Sequence, residues 1–317
     1  KVIDAWTEHS VQMDEAMIKL EAGKTYKLQV EYFDNGGDCF AGLYWKAPSA
    51  GSQNVLARFG DAGKVAAECD VTVAVLGINK SIEREGQDRF SLELPVDQQE
   101  FIKELYKVNP NTVVVLVAGS SMAVNWMDEN VPAILNAWYP GEQGGNAVAE
   151  VLFGDYNPGG RLPLTYYNSL DEIPAFDNYF VKGRTYQYFE GQPLYEFGYG
   201  LSYTKFRYKS KGVNVEQDTV KVSFEVSNTG KYDGDEVTQV YVKYPETGTY
   251  MPLKQLHGFK RVHIKKGKTS KVTIGVPKKD LRYWDEQERK FVTPKGEYTF
   301  MVGASSDDIK FRETVGL

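Results

Sequence analysis

Val71-Thr72-Val73-Ala74-Val75-Leu76 is an uninterrupted apolar run, followed by Ile78-Asn79-Lys80-Ser81-Ile82-Glu83-Arg84-Glu85-Gly86-Gln87-Asp88-Arg89 and then by an amphipathic stretch from Leu94 to Val108. A short β-branched run of this kind reads as a buried strand, and the longer periodic stretch as a helix. Further on, Thr112-Val113-Val114-Val115-Leu116-Val117 reads as a second buried strand, Ala133 to Trp138 as a third apolar segment, and Asn146 to Leu152 as another helix. Strands that alternate with helices imply right-handed crossovers and a mainly parallel sheet covered on both faces. Ligands of such sheets lie outside the strand carboxyl ends, and the carboxylates and guanidinia of 78–89 fall there.

Upstream, residues 1–50 read as β-structure. Ala16 to Leu20 and Tyr26 to Tyr32 alternate with period two, Glu21-Ala22-Gly23-Lys24 reads as a hairpin turn, and Ala41 to Trp45 as a further strand. Three strands are too few for an independent sandwich, so more are expected upstream of Lys1 or on another chain. Pro48 to Ser52 has the composition of a linker. Downstream, Gly154-Asp155-Tyr156-Asn157-Pro158-Gly159-Gly160 ends the last helix, and an aromatic, irregular segment runs to about Phe206. Period two then returns at 219–226, 236–243 and 298–302, broken by turn signals. That pattern suggests an immunoglobulin-like or fibronectin-like sandwich.

Composition narrows the function. A formal charge of -6 with acids and bases interspersed argues against a surface built for nucleic acid or anionic membrane. No apolar run approaches the roughly 20 residues a bilayer span needs. Cys39 and Cys69 are far apart and read as buried free thiols, not as a disulfide or a zinc site. The aromatic share, 13%, is high, and sugar-handling proteins use such rings as platforms, although aromatic-rich β-domains share the trait.

Several chemistries drop out. Pro140-Gly141-Glu142-Gln143-Gly144-Gly145-Asn146 lacks G-x-G-x-x-G spacing and puts a carboxylate where phosphate would sit, so its glycines serve a tight turn or face some other ligand. Ala118-Gly119-Ser120-Ser121 is not a G-x-S-x-G elbow, and His9, His257 and His263 are scattered, which argues against a Ser-His-Asp triad and a His-based metal site. Neither metal nor cofactor is expected. Glycosidic bond cleavage needs one carboxylic acid to protonate the leaving oxygen and a second carboxylate to support the oxocarbenium-like transition state. Glu83 and Glu85 are both candidates for that acid. Glu85 ranks first because Gly86 lets a substrate approach the backbone closely, and Glu83 is the fallback. On pattern alone, such a Glu and Arg cluster is also a solvated, salt-bridged loop.

Four motifs taken together carry a resemblance: Glu83-Arg84-Glu85-Gly86-Gln87-Asp88-Arg89; Ala137-Trp138-Tyr139-Pro140-Gly141-Glu142-Gln143-Gly144-Gly145; Leu152 to Pro163 with Gly154-Asp155-Tyr156-Asn157-Pro158-Gly159-Gly160-Arg161; and Phe197-Gly198-Tyr199-Gly200-Leu201-Ser202-Tyr203-Thr204. In this order they resemble the C-terminal half of a glycoside hydrolase of family 3, over roughly residues 55–317. The resemblance implies three parts: 1–50 as the last strands of a protective-antigen-like β-domain, 54–205 as the family's α/β sandwich domain with its aromatic connection, and 206–317 as a fibronectin type III-like domain.

It also implies a retaining, exo-acting β-glycosidase, with β-glucosidase expected ahead of β-xylosidase; the Gly183-Arg184-Thr185-Tyr186-Gln187-Tyr188-Phe189 segment resembles the xylosidase type. Glu85 matches the acid/base position. The nucleophile would be an aspartate in a Ser-Asp-Trp motif on an N-terminal barrel, a motif this sequence does not contain. In a retaining enzyme the two carboxyl groups lie about 5 Å apart. Arg84, Asp88 and Arg89 are carried as substrate-binding candidates. The two arginines are expected to brace Glu83 and Asp88, because contact with the acid would oppose the raised pKa it needs. Expected partners are a β-linked oligosaccharide and the barrel portion of the same enzyme, with no nucleic acid, no membrane, and a homodimer permitted. The family implies a secreted or periplasmic location. A non-catalytic carbohydrate-binding or scaffolding module is the reading from another functional class.

Overall fold

The computed structural model describes residues 1–7, 14–21, 23–33, 42–43, 55–248 and 250–317. The chain divides into two units, Lys1–Ser120 with Trp126–Tyr139, and Ser121–Asn125 with Pro140–Leu317.

In the first unit the apolar runs become strands that alternate with helices. In chain order the elements are α1 (Ala62–Glu68), β1 (Thr72–Gly77), α2 (Val96–Val108), β2 (Thr112–Val117), α3 (Asn125–Asn130) and β3 (Ile134–Asn136). β1, β2 and β3 form a parallel sheet in that order, with Thr72 opposite Thr112 and Val114 opposite Ile134. Pro95 sets the start of α2: it carries extended angles and cannot donate a hydrogen bond, so the helix begins at Val96 rather than at Leu94. Ile102 and Leu105 are its buried face. Two-sided burial is found in β2, where Val114, Val115 and Leu116 are all at most 2% exposed. β1 departs from it. Ala74 and Leu76 are buried, but Val73 and Val75 are 45% and 65% exposed: the two valines share the opposite face of the strand, and that face is left uncovered at β1 among the described residues.

Two further expectations need correction. Cys69 is exposed, not buried, because it caps the end of α1, where its N–H bonds Ala66 O. The alternating runs 16–20 and 26–32 carry no strand, although Lys24 N–H does close the intervening turn onto Glu21 O. Alternation selects a face, but a strand exists only through its ladder, and no partner for these runs stands among the described residues. Most of 41–45, with 48–52, His9 and Cys39, lies outside the described residues.

The second unit opens with α4 (Gly144–Phe153), stopped by Gly154 in the left-handed region at φ +83. From there to Thr204 only single helical turns occur, at Leu170–Glu172 and Thr185–Tyr188. Rings hold this segment in place of a ladder: Tyr186 stacks on Phe197 (4.3 Å), Tyr195 on Tyr199 (5.1 Å), and Tyr167 meets Phe189 edge-on (5.1 Å). Much of the aromatic excess is therefore packing.

The all-β part follows as β4 (Phe206–Val215), β5 (Thr219–Asn228), β6 (Gly234–Lys243), β7 (Gln255–Ile264), β8 (Thr269–Pro277), β9 (Tyr283–Asp285), β10 (Lys290–Val292), β11 (Glu297–Gly303) and β12 (Ile309–Gly316). One sheet has the order β12-β11-β6-β7 and the other β4-β5-β8, with β9 and β10 a separate hairpin. Val222, Phe224 and Val226 of one sheet meet Val240, Val242, Phe300 and Val302 of the other in a core at most 1% exposed.

A buried charge ties the irregular segment to this sandwich. Arg161 Nη2 lies 2.7 Å from Glu236 Oε2, the two side chains 8% and 3% exposed, and Tyr208 donates its hydroxyl to Glu236 Oε1 at 2.5 Å. Burial and the adjacent carboxylate push the Tyr208 phenol well above its ordinary pKa, so it remains a donor at any physiological pH. Removing one partner of such a pair leaves an uncompensated charge in the interior. Glu236→Ala is therefore expected to lose about 3–5 kcal/mol in urea unfolding; a loss under about 1 kcal/mol would contradict the role given to this pair.

Candidate active site

The loop after β1 is launched from a crowded point. Gly77 has φ +156, and a Cβ there would stand 1.8 Å from Val117 O, so only glycine lets the strand end pass β2 this closely. Gln98 of α2 clamps the same residue: its Oε1 accepts from Gly77 N–H and its Nε2 donates to Gly77 O, both at 2.8 Å. A side-chain amide thus takes the place of a neighbouring strand at the edge of β1.

From there the loop is built by local bonds. Asn79 Oδ1 accepts from Ser81 N–H (2.9 Å) and Ser81 Oγ (2.6 Å), and Gln87 Nε2 donates to Ser81 O (3.2 Å). Arg84 and Gln87 exchange both backbone hydrogen bonds, 3.1 and 3.0 Å, across a two-residue tip made of Glu85 and Gly86. Gly86 sits at φ +74 while Glu85 keeps a negative φ, the pattern of a type II turn that places glycine third.

The two glutamates differ in what they touch. Glu83 Oε2 lies 2.6 Å from Arg89 Nε and accepts from Ser120 Oγ at 2.7 Å, with the arginine side chain 9% exposed. Arg89 also donates to Leu92 O at 3.3 Å. Glu85 is exposed and has no hydrogen-bond or ion-pair partner among the described residues. Arg84 and Asp88 are exposed too, and neither side chain forms an ion pair among the described residues. Arg89 and Glu83 are thus brought together, and Arg84 and Asp88 are not.

The loops that follow the other two strands converge on this one. Ser120 lies just past β2, and Tyr139, just past β3, donates its hydroxyl to Ile78 O at 3.3 Å. A Cβ on Gly119 would come within 2.4 Å of the Tyr139 ring. Trp138 is held at φ +55, unusual for a bulky residue. All three loops leave strand carboxyl ends, where parallel sheets keep their ligands. Ser120, Gln98 and Tyr139 escaped the sequence reading. Ser120 was visible only as a failed nucleophile elbow, and contacts that span 37, 21 and 61 residues leave no local signal.

Comparison with known proteins gives the family. A family model described as the glycosyl hydrolase family 3 C-terminal domain matches residues 11–203, and one described as a fibronectin type III-like domain matches 236–306. The chain belongs to glycosyl hydrolase family 3. A protein from Xylanibacter ruminicola named xylan 1,4-beta-xylosidase is 42% identical over 225 residues, which is 70% of this chain and 26% of that protein. A Salmonella typhimurium protein named periplasmic beta-glucosidase is 33% identical over 293 residues, 87% of this chain and 38% of that protein. The crystal structure of a beta-glucosidase from Kluyveromyces marxianus in complex with glucose superposes with a TM-score of 0.76 at 36% identity, over 81% of this chain and 33% of that one. The chain therefore spans about a quarter to two fifths of the length of these relatives.

Several family 3 motif residues are structural ties. Asn157 Oδ1 accepts from Ser202 Oγ (2.9 Å) and Tyr203 N–H (2.8 Å), and its Nδ2 donates to Asp233 O (2.9 Å). Thr204 Oγ1 donates to Asn228 Oδ1 at 2.6 Å. Gly200 lies where a Cβ would come within 2.3 Å of Gly160 O, and Gly144 where it would come within 2.4 Å of Pro140. The glycine of the 140–146 stretch at 144 is thus required by the strand-to-helix turn itself.

The ion pair that organises the loop can be measured by a double-mutant cycle. Glu83→Gln, Arg89→Gln and the double variant are expected to show a coupling of about 1–2 kcal/mol in denaturant unfolding, reduced from a fully buried value by the exposure of Glu83. Additive losses would show that the contact does not hold the loop.

Proposed function

We propose that the chain supplies the acid/base glutamate, Glu85, to a retaining, exo-acting β-glycosidase that removes terminal β-linked glucose from oligosaccharides. One observation carries the assignment: of two glutamates on the same loop, Glu83 is occupied by Arg89 and Ser120, and Glu85 stands at the turn tip with both oxygens open. In this reading Glu85 first donates its proton to the leaving oxygen. It then deprotonates the water that releases the sugar from an aspartate nucleophile. That aspartate would lie on a barrel portion of the enzyme. Arg89 and Glu83 position the turn and do not touch the reacting atoms, while Arg84 and Asp88 remain free to meet a substrate hydroxyl.

In the same reading residues 54–205 are the α/β domain and 206–317 the fibronectin-like domain. A location outside the cytoplasm fits the relative named as periplasmic. No helix among the described residues is long and apolar enough to cross a membrane.

β-Xylosidase is the second reading, favoured by the 42% identity to the protein named xylan 1,4-beta-xylosidase. One experiment addresses both, in the enzyme that carries the complementing barrel. Aryl glucosides and aryl xylosides with good and poor leaving groups are hydrolysed by the wild type, Glu85→Gln and Glu83→Gln. Glu85→Gln is expected to lose about 100-fold or more on poor leaving groups and far less on good ones, since only the former need the proton. Glu83→Gln is expected to lose similar factors on both. Unchanged turnover of a poor leaving group by Glu85→Gln would overturn the assignment, and the faster sugar in the wild type decides the substrate.

A further inference from the structure

The second unit contains a cavity of about 310 Å³, within the range of small-molecule sites, and none of the residues assigned to the reaction lines it. Two rings form part of its wall and both are fixed. Tyr186 stacks on Phe197 at 4.3 Å and accepts Leu256 N–H on its hydroxyl at 3.1 Å, so the hydroxyl proton remains free to donate. Phe189 meets Tyr167 edge-on at 5.1 Å and lies across Gly191, where a Cβ would come within 2.5 Å of the ring. The rings therefore need no ordering on binding, which removes a cost that weakens most small-ligand sites.

Around them is a set of polar groups with hydrogen-bond capacity left over. Glu190 has no partner among the described residues, and neither does the side-chain amide of Gln192. Glu196 accepts Ser305 Oγ on one oxygen at 2.7 Å, which leaves the other. Lys254 donates to Ser306 O at 2.6 Å and to Asp307, which leaves one of its three N–H bonds. Deeper in, Thr165 Oγ1 and Ser306 Oγ are buried without a partner, their residues 8% and 1% exposed, an arrangement that native interiors seldom tolerate.

This lining selects a chemistry. An apolar ligand would leave the polar groups unpaired. An anion would face Glu190, Glu196 and Asp307 against the single positive charge of Lys254. A bare cation lacks a cage, since no group of three or more His, Cys, Asp or Glu among the described residues stands close enough to hold a metal. A neutral polyhydroxylated ring fits: each hydroxyl both donates and accepts, and its C–H face can cover Tyr186 or Phe189. We propose that this cavity is a second saccharide-binding site, selective for a neutral mono- or disaccharide and independent of hydrolysis at Glu85.

The test is ligand-observed NMR titration of the protein with cellobiose, xylobiose and glucuronate, with Ca²⁺ tried separately by calorimetry. At least one neutral disaccharide is expected to bind about tenfold more tightly than glucuronate. The exposed substitutions Glu190→Ala and Gln192→Ala are each expected to weaken binding about fivefold or more, with thermal unfolding unchanged. Glu85→Gln should leave this binding intact, so loss of hydrolysis and loss of the cavity signal are separable outcomes. The proposal is overturned if neither disaccharide binds, if glucuronate binds as well as they do, if Ca²⁺ alone binds, or if Glu190→Ala and Gln192→Ala bind like the wild type.

Discussion

One oxygen of Glu83 sits 2.6 Å from Arg89 Nε and 2.7 Å from Ser120 Oγ, and these contacts fix the loop at both ends and against the turn after β2. An ion pair with a 9% exposed arginine is screened less than a surface pair, and it has a hydroxyl to complete it. Its consequence is chemical as well as structural. With Glu83 engaged, the two-residue turn carries Glu85 outward without a competing cation on its carboxylate. The loop begins where Gly77 passes Val117 O, a point no larger residue can occupy, and Gln98 completes the hydrogen bonding there. A general acid has to be positioned as well as ionisable, and this loop is held by its base rather than by its tip.

The second unit follows the same logic with different groups. A segment too irregular for a ladder is held by stacked rings, by Asn157 and by the buried Arg161–Glu236 pair with its Tyr208 donor. Asn157 and the ion pair satisfy groups that burial would otherwise strand, although Arg161 Nε itself stays buried without a partner. The cavity beside Tyr186 and Phe189 leaves two buried hydroxyls unmatched, and its carboxylates outnumber its one cation.

What the sequence could reveal follows from the range of the forces involved. Thr112–Val117 was legible to the residue because its β-branched run is also its physical cause, and the stop at Gly154 because one backbone angle decides it. The alternating runs 16–20 and 26–32 misled for the complementary reason: period two names a face, and pairing is a matter of what lies alongside. The cluster at 83–89 was visible as chemistry, and so was a division of labour within it, with Glu85 ranked ahead of Glu83 and arginine as a brace; the group that completes the brace was not. That group is Ser120, 37 positions away, and nothing local in Ala118-Gly119-Ser120-Ser121 signals it. The Arg161–Glu236 contact spans 75 positions and was equally hidden, although Arg161 stood inside a quoted motif. Asn157 and Gly200, which carried the family resemblance without a role of their own, are fasteners.

The central claim is that Glu85, and not Glu83, occupies the acid/base position. In the enzyme with its barrel, Glu85→Ala removes the group that activates water, so an external nucleophile should take over the second step. With an activated aryl glycoside and added azide, the account predicts accelerated turnover by Glu85→Ala and a glycosyl azide product of retained β-configuration, with no such product from Glu83→Ala. Azide rescue of Glu83→Ala together with none in Glu85→Ala would contradict the account and exchange the roles of the two glutamates.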